Sequence, residues 1–258
     1  MAPLTAPVVE IFSSIQGEGL LLGERQVFLR FAGCNLCCAY CDTLGAQVPP
    51  ETARVERTPG RGDFVSVPSA MTPEQVADAV RRLLRPHPGL HHSVSLTGGE
   101  PLLHAAFLQQ LLPRLGDLGL GAYLETNGTL AEPLALLLPN LDVVCADLKL
   151  PSATGQGPLW DPHEVFLLTL AAHEDPTRLD FVKVIVAASS TAEEIDRAAR
   201  LVAGVNPRLA MVLQPLTPTN AETLAPSPAK MLDLQAMAKN HLTHVRVIPQ
   251  THRLGGYL

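Results

Sequence analysis

The stretch Gly33-Cys-Asn-Leu-Cys-Cys-Ala-Tyr-Cys-Asp-Thr43 brings cysteines at positions 34, 37, 38 and 41 into one short segment. Three thiolates can bind three irons of an iron-sulfur cube, and the fourth iron then keeps an open coordination position. An open position is typical of a metal site that performs chemistry. The spacing can be read as C-x3-C-x2-C, with Cys38 as the middle ligand, or as C-x2-C-x3-C, with Cys37 in its place.

The first spacing, with the aromatic Tyr40 directly before the last cysteine, resembles the signature of the radical S-adenosylmethionine (SAM) enzymes. On this resemblance Cys34, Cys38 and Cys41 are the predicted catalytic ligands of a [4Fe-4S] cluster, and Cys37 has no ligand role. A structural zinc site is the main alternative, but such sites usually join two separated cysteine pairs. The side chains of the neighbours Cys37 and Cys38 diverge, so convergence of all four cysteines on one ion would strain the backbone.

The composition favours a compact cytoplasmic enzyme that acts on a small molecule. Five cysteines are an odd number, and residues 1–10 lack the basic stretch and apolar run of a secretory signal, so disulfides are not expected. Apolar residues make up 47% of the chain, without a run long enough to span a bilayer. The net charge of -6 disfavours a nucleic-acid partner, because that role usually needs a basic surface.

From about Met71 onward, strand-like apolar runs alternate with helical patterns, which predicts a mostly parallel sheet covered by helices. Thr72 begins a capping box with Gln75 three positions later. Asp161 opens a further predicted helix, with Val165 and Leu168 at core spacing. Strand ends in a β/α barrel share one face, so the polar and glycine residues that follow the strands are expected to converge on one site.

The segment from Leu44 to Ala70 interrupts this alternation. It holds several Pro and Gly residues among arginines, with few core-forming residues. We predict that it is an inserted loop after the cysteine motif, within a single domain over residues 1–258. A lid, a docking site for an electron donor and a solvated excursion without a role all fit this pattern.

Several stretches together resemble the 7-carboxy-7-deazaguanine synthases, radical SAM enzymes of queuosine biosynthesis and hence of a tRNA modification pathway. The stretches are Glu10-Ile-Phe-Ser-Ser-Ile-Gln-Gly-Glu-Gly19, Phe28-Leu-Arg-Phe-Ala-Gly-Cys-Asn-Leu36, Cys41-Asp-Thr43, Thr97-Gly-Gly-Glu-Pro101, Glu125-Thr-Asn-Gly128 and Asp147-Leu-Lys149. The resemblance implies a partial (β/α)6-type TIM barrel, a homodimer, and a lyase that converts 6-carboxy-5,6,7,8-tetrahydropterin to 7-carboxy-7-deazaguanine with loss of ammonia. It implies a [4Fe-4S] cluster, SAM and Mg2+ as cofactors, and it admits a reductant protein such as flavodoxin as partner.

The same resemblance implies a role for each matched residue. The expected substrate contacts are Ile15, Gln16, Gly17, Glu18, Arg30, Thr97 and, at the end of the chain, Leu258. The expected SAM contacts are Gly98, Gly99, Glu100, Asp147, Leu148, Lys149 and, at the adenosyl end, Gln214. Thr43 is expected to bind Mg2+ through its hydroxyl, with substrate and water completing the shell. Cys145 is expected to be a buried strand residue and not a ligand.

Two of these roles have a physical rationale of their own. Gly98 and Gly99 have no side chains to obstruct a bound methionyl group, so their backbone can approach it closely. Arg30 alternates away from Val27, Leu29 and Phe31, and its planar guanidinium can clamp a carboxylate with two hydrogen bonds.

Two other functions remain open at this point. A radical SAM activase, which generates a glycyl radical on a partner protein, shares the cysteine motif and the Gly-Gly-Glu stretch. It has no need of Gln16, Glu18 and Arg30 as a pterin pocket. The alternative that is not an enzyme is an iron-sulfur or zinc binding module.

Overall fold

The computed structural model describes residues 3–218 and 223–257, which form one large sheet and its covering helices. The strands are β1 (Ala6–Ile15), β2 (Arg25–Phe31), β3 (Thr52–Glu56), β4 (Phe64–Pro68), β5 (Ala70–Met71), β6 (Ser93–Gly98), β7 (Gly121–Thr126), β8 (Val143–Asp147), β9 (Leu179–Val186), β10 (Ala210–Pro215) and β11 (Val245–Val247). The helices are α1 (Pro73–Leu84), α2 (Ala105–Gly116), α3 (Ala131–Leu137), α4 (Pro151–Thr154), α5 (Trp160–Ala172), α6 (Ala192–Val205), α7 (Pro228–Ala238) and α8 (Thr251–Gly255). Short 3-10 helices cover Leu44–Ala46, Pro101–His104 and Leu138–Asn140.

The sheet is mostly parallel and follows the order β11-β10-β9-β8-β7-β6-β2-β1-β3-β4, with β5 paired to β1. β2 and the strands from β6 to β11 form a series in which each strand is parallel to the next, and helices lie between successive strands. β1 runs antiparallel to β2 at the start of this series. The α/β partial barrel predicted from the sequence is confirmed. No helix in the described part of the chain is both long and apolar enough to cross a membrane.

Local sequence signals explain where α1 begins and which face it buries. The Thr72 side chain caps the helix by accepting a hydrogen bond from the Gln75 backbone N–H, and the Gln75 side chain accepts one from the Thr72 backbone N–H. Pro73 occupies the first turn, where its missing N–H costs nothing. One face of the helix is buried along Val76, Ala79, Val80 and Leu83, and Leu84 at its end is partly buried.

The predicted inward face of α5 is wrong. Val165 is 54% exposed and Leu168 is 52% exposed, whereas Phe166, Leu167 and Leu170 pack into the core. This helix is apolar on most of its circumference, so the 3.6-residue period does not select one face. Its orientation is decided by packing against α3 and α6, which the spacing of apolar residues does not record.

The prediction that Leu44 to Ala70 is a loop is also wrong. β3 and β4 form an antiparallel hairpin within it, and β3 pairs in parallel with β1. Ala53 and Val55 alternate with polar residues and are buried in the main core. The strand is only five residues long, and the Pro- and Gly-rich turns around it conceal this period-two pattern. The hairpin is therefore part of the sheet.

The two faces of β2 separate the core from the barrel interior. Val27, Leu29 and Phe31 belong to the main apolar core, whereas Phe28 and Arg30 line an internal cavity. This alternation confirms the face predicted for Arg30 from the sequence. The opposite register partners on β1 are Phe12 and Glu10, so the hairpin of β1 and β2 supplies one wall of the interior.

A second, smaller apolar cluster fills the barrel interior toward the amino ends of the strands. Its members are Tyr123, Val143, Cys145, Phe181 and Val212, with Leu20 and Leu21 packed against them. The connection between β1 and β2 supplies the two leucines, and thus closes the interior on that side. Cys145 is buried here, with burial raising the pKa of its thiol.

Val55→Ala is expected to lower the free energy of unfolding by about 2 kcal/mol, because it removes buried methyl groups and leaves a cavity in the core. Val48→Ala is the matched control, since Val48 is 73% exposed, and it is expected to change stability by less than about 0.5 kcal/mol. Urea denaturation followed by circular dichroism measures both. Equally small effects would contradict a hairpin packed into the sheet.

Candidate active site

The carboxyl ends of the strands open into one cavity of about 230 Å³. Most of the residues singled out in the sequence line it: Ile15, Gln16, Gly17, Glu18, Arg30, Cys34, Cys38, Cys41, Thr43, Thr97, Gly98, Gly99, Asp147, Lys149 and Gln214. Glu100 and Leu148 do not line it, and Leu258 lies outside the described residues. Residues distant in sequence meet here because parallel strands end at the same edge.

Of the four cysteines in the motif, three line the cavity and one does not. Cys34, Cys38 and Cys41 border it, whereas Cys37 is exposed and is not part of the lining. No three Cys, His, Asp or Glu side chains among residues 3–218 and 223–257 are arranged around the position of a single metal ion. A [4Fe-4S] cube binds each thiolate at a different iron, so its ligands are farther apart than those of one ion. The donor set fits a cluster held by three thiolates better than it fits zinc.

The segment from Gly33 to Thr43 is called the cysteine loop. Amide groups from two other loops approach its sulfurs. Asn127 Nδ2 lies 4.0 Å from Cys34 Sγ, and Gln156 Nε2 lies 3.7 Å from Cys38 Sγ. Burial raises the pKa of the Cys34 thiol and raises that of Cys38 to about 11. Thiols in such surroundings become thiolates when a metal binds, and N–H groups directed at sulfur stabilise that charge.

The predicted contact of Glu100 with a cofactor needs correction. Its side chain is fully buried, and its carboxylate accepts hydrogen bonds from the backbone N–H of Leu102 at 3.0 Å and of Asn127 at 2.7 Å. The Thr126 hydroxyl donates a third at 2.8 Å. This carboxylate therefore ties the loop after β6 to the loop after β7, beneath the cavity.

The reason for Gly98 and Gly99 also differs from the prediction. A Cβ on Gly98 would overlap the backbone of Phe31, and a Cβ on Gly99 would overlap the carbonyl group of Gly33. Gly98 also has a φ of 125°, where other residues are strained. These glycines are required by the close approach of the chain's own β2 end, which begins the cysteine loop at Cys34.

The loop after β8 supplies charged groups to the cavity, whereas Leu148 packs into the core. Leu148 is 2% exposed, so its predicted SAM contact does not involve its side chain. Lys149 Nζ lies 2.7 Å from Asp147 Oδ2 and 5.3 Å from the centre of the Tyr40 ring. Asp147 Oδ1 and Gln214 Oε1 are buried acceptors without a hydrogen-bond partner in the described residues. Both line the cavity, and a ligand with hydroxyl or N–H groups would satisfy them.

Gln16 supports the site, with both N–H groups of its side-chain amide paired within the protein. Its Nε2 donates to Gln26 Oε1 and to Glu125 Oε1, both at 3.0 Å. Its Oε1 accepts from the Glu18 backbone at 3.0 Å. Both N–H groups are thus used to position Glu125 and the neighbouring strand, and the predicted pairing with a pterin edge would use Oε1, which can accept a second hydrogen bond.

Glu18 forms a buried ion pair that the sequence analysis missed. Its Oε2 lies 2.5 Å from Lys183 Nζ, and its Oε1 accepts from Gln250 Nε2 at 2.7 Å. Burial alone would raise the pKa of Glu18, but the charge and hydrogen bond of Lys183 lower it to about 2. Lys183 is the only charged residue in the apolar run from Phe181 to Val186, and that interruption was the available signal.

The end of the chain closes the cavity beside the cysteine loop. Thr251 N–H donates to the Gly17 carbonyl at 2.9 Å, and a Cβ on Gly17 would overlap the His252 ring. Gln250 Nε2 also donates to Asp42 Oδ2 at 3.1 Å. Asp42, Gln250 and His252 line the cavity but were not assigned roles from the sequence, because their proximity depends on folding of the whole barrel.

Arg30 presents its guanidinium next to an aromatic wall. Glu10 Oε1 accepts from Arg30 Nε at 2.9 Å, which fixes one edge of the planar fork. Phe12 and Phe28 stack nearby in the same cavity wall, with ring centres 5.2 Å apart. Thr43 is at another part of the lining and donates to Asp42 Oδ1 at 2.9 Å.

Comparison with known proteins places this geometry in a family. Residues 29–154 match the family model described as the Radical SAM superfamily. A 7-carboxy-7-deazaguanine synthase from Geobacter sulfurreducens is 46% identical over 98% of this chain and 98% of its own. The synthase of Methanothermobacter thermautotrophicus is 35% identical over 99% of both chains. The crystal structure of QueE from Escherichia coli shares the fold, with a TM-score of 0.62 and 23% identity over 96% of this chain and 95% of that one.

Glu18→Gln is expected to reduce the loss of stability in acid. Because the pKa of Glu18 is lowered from 4.5 to about 2 on folding, its ion pair stabilises the protein above pH 4.5, and this contribution is lost as the pH falls toward 2. Between about pH 6 and about pH 3, the wild-type protein should lose about 2 kcal/mol more than the variant in urea denaturation of the metal-free form. Glu164→Gln, at an exposed position of α5, should behave as the wild type. An equally steep fall in Glu18→Gln would argue against the ion pair.

Proposed function

The chain belongs to the 7-carboxy-7-deazaguanine synthase family of radical SAM enzymes, and we propose that its cavity binds the pterin and SAM with the residues described below. It is a lyase that converts 6-carboxy-5,6,7,8-tetrahydropterin to 7-carboxy-7-deazaguanine with release of ammonia, in the route to queuosine. The observation that carries this function is the 46% identity over 98% of the chain. The residues that line the cavity at the strand ends are the proposed binding groups for both molecules.

Cys34, Cys38 and Cys41 hold a [4Fe-4S] cluster in this proposal, and the open iron supplies the one-electron chemistry that cleaves SAM. The support for the register is the position of the cysteines, since these three line the cavity and Cys37 is exposed. Asp147, Lys149 and Gln214 form the SAM side of the cavity. The unpartnered Asp147 Oδ1 and Gln214 Oε1 suit the hydroxyl and amino groups of a nucleoside.

Arg30 binds the pterin carboxylate in this proposal. Glu10 fixes the Nε edge of its guanidinium, and the two terminal nitrogens can then bind a carboxylate end on. Phe12 and Phe28 offer a flat apolar wall for the ring system. Glu18 is ionised at neutral pH because its pKa is about 2, so it accepts hydrogen bonds from ring N–H groups and does not donate a proton.

Thr43 binds Mg2+ through its hydroxyl in this proposal, together with substrate oxygens and water. Support comes from its position in the cavity lining next to the carboxylate of Asp42. Magnesium retains most of its waters and needs few protein ligands. Its removal with a chelator should therefore reduce product formation without releasing iron from the cysteine loop.

The remaining expectations concern the protein's surroundings. We propose a homodimer in the cytoplasm, a single domain over residues 1–258, and a reductant protein such as flavodoxin as electron donor. Cys37, Leu44 and Val48 are exposed in and just after the cysteine segment, which supports a protein partner at this point. The activase function is not favoured, because relatives match over the full chain and the cavity contains a carboxylate-binding arginine.

Product formation tests the function directly. Anaerobic, cluster-reconstituted enzyme is incubated with 6-carboxy-5,6,7,8-tetrahydropterin, SAM, Mg2+ and a reductant, and the products are identified by mass spectrometry. We expect 7-carboxy-7-deazaguanine together with ammonia. Cleavage of SAM without any deazaguanine product would contradict the proposed substrate and favour the activase.

The cluster register is tested by four single variants. Cys34→Ala, Cys38→Ala and Cys41→Ala are each expected to abolish reductive SAM cleavage, because each removes one of the three thiolates. Cys37→Ala is the matched control and should retain wild-type iron content and activity. Iron analysis and anaerobic absorbance spectra measure cluster loading. Inactive Cys37→Ala beside active Cys38→Ala would show that the other spacing is correct.

Arg30→Lys is expected to raise the KM for the pterin by roughly ten- to hundredfold, because a point charge replaces a planar fork. Cluster content and SAM affinity should change little. Arg54→Lys is the control, since Arg54 also contacts Glu10, at 3.6 Å, but lies outside the cavity lining. Similar KM values for the two variants would contradict the carboxylate clamp.

A further inference from the structure

His163 is a buried histidine that lies outside the cavity and joins two of its loops. It is on α5, with 2% of its surface exposed. Its Nδ1 lies 2.9 Å from the Gly128 carbonyl oxygen, and its Nε2 lies 3.0 Å from the Lys149 backbone nitrogen. Gly128 belongs to the connection after β7, and Lys149 to the connection after β8.

The chemistry of the two partners fixes the protonation of the ring. A carbonyl oxygen can only accept a hydrogen bond, so the proton is on Nδ1 of His163. A backbone N–H can only donate, so Nε2 carries a lone pair. The ring is therefore neutral and in one tautomer. Protonation of Nε2 would place two donors against each other and break the bond to Lys149.

The surroundings of the ring favour this neutral form. Burial lowers the pKa of His163 to about 4, the Gly128 carbonyl opposes this shift, and the positive charge of Lys149 adds to it. Asp147 is the carboxylate that acts in the opposite direction. These two charged side chains act on the ring from the last residue of β8 and from the connection that follows it. Both also line the cavity.

The backbone around Gly128 is built to admit the ring. Gly128 has a φ of 66°, and a Cβ there would lie 3.3 Å from His163 Nδ1. The residue before it, Asn127, contacts the cysteine loop through Asn35 at 2.7 Å and approaches Cys34 Sγ. One imidazole thus fixes the backbone of a loop that supports the cysteines and of a loop that supplies Lys149.

We propose that His163 is a positioning residue for SAM binding, which acts by holding the Lys149 and Gly128 backbones at the spacing that the cofactor requires. The proposal rests on the proposed function, because that function assigns Asp147 and Lys149 to the SAM side of the cavity. The pterin side, with Arg30 and Glu18, is formed by β1, β2 and the connection between them, and neither residue is hydrogen-bonded to His163. Loss of the imidazole should therefore weaken SAM binding and leave pterin binding nearly unchanged.

His163→Phe removes both hydrogen bonds and keeps a ring in the space. SAM affinity of the reconstituted enzyme is measured by equilibrium dialysis, and pterin KM at saturating SAM. We expect SAM to bind roughly tenfold more weakly, the size of effect that loss of an outer supporting contact commonly has, with an unchanged pterin KM. His173→Phe, at an exposed position after the end of the same helix, is the matched control and should bind SAM as the wild type does.

His163→Gln and His163→Asn separate the two bonds. The longer glutamine can place an oxygen near the Nε2 position and accept from Lys149 N–H, so it should recover more SAM affinity than asparagine. The 15N spectrum of the imidazole in the wild-type protein adds a reading that does not depend on any variant. It should show a neutral ring with the proton on Nδ1 throughout the neutral pH range.

Three results would overturn the proposal. They are equal SAM affinity in wild type and a folded His163→Phe, parallel losses of SAM and pterin binding, and a charged ring or a proton on Nε2 in the 15N spectrum. If His163→Phe does not fold, the spectrum and the order of the Gln and Asn variants decide. A wild-type enzyme that binds no SAM would refute the proposed function itself. SAM binding by the wild type therefore separates failure of the proposed function from failure of the His163 proposal.

Discussion

A buried positive charge at the centre of the barrel organises the loops around it. Lys183 on β9 lies 2.5 Å from Glu18 and 3.8 Å from Asp147, so it needs both the connection between β1 and β2 and the end of β8 to stay in place. Burial alone would lower the pKa of Lys183, but the two carboxylates hold it well above its ordinary value. An ammonium group without these partners would be very unfavourable in this position. Through Gln250, the same pair also fixes the end of the chain and reaches Asp42 beside the cysteines.

The cysteine loop is held from several sides before any cluster is considered. The Gly99 backbone packs against Gly33, and Glu100 N–H donates to the Gly33 carbonyl at 2.7 Å. On another side, Ala39 N–H donates to the Thr154 carbonyl at 2.9 Å, at the end of α4. The Thr-Gly-Gly-Glu-Pro stretch thus has a structural reason that is independent of a ligand. It docks the loop that carries the cysteines.

How far the sequence could predict this structure depends on whether a signal was local. The capping box at Thr72 and the alternation that turns Arg30 inward involve neighbouring residues, and both were read correctly. The orientation of α5 and the pairing of β3 with β1 depend on contacts between distant segments. The predicted face of α5 was therefore wrong, and the segment that contains β3 was predicted to be a loop. Gln16 and Glu100 show the same limit within the site. A polar side chain in a motif can face a ligand or another loop, and its hydrogen-bond partners decide which. The partner of Gln16 is Glu125, 109 positions away, and the partner of Glu100 is Thr126 on another strand.

The distribution of charge in the cavity favours ligands that bring hydrogen-bond donors. Each cation already has a carboxylate partner: Arg30 with Glu10, Lys183 with Glu18 and Lys149 with Asp147. Ligand binding therefore does not have to neutralise an isolated charge, because the ion pairs of the cavity form within the protein itself. In the described part of the chain, the cavity groups without a hydrogen-bond partner are two acceptors, Asp147 Oδ1 and Gln214 Oε1, and a buried acceptor without a donor costs about 1–3 kcal/mol. A nucleoside bound at this side would recover that free energy through its hydroxyl and amino groups, whereas an acceptor-rich ligand would not. This side of the cavity thus discriminates between ligands by its unpaired hydrogen-bond acceptors, since its charges are already paired.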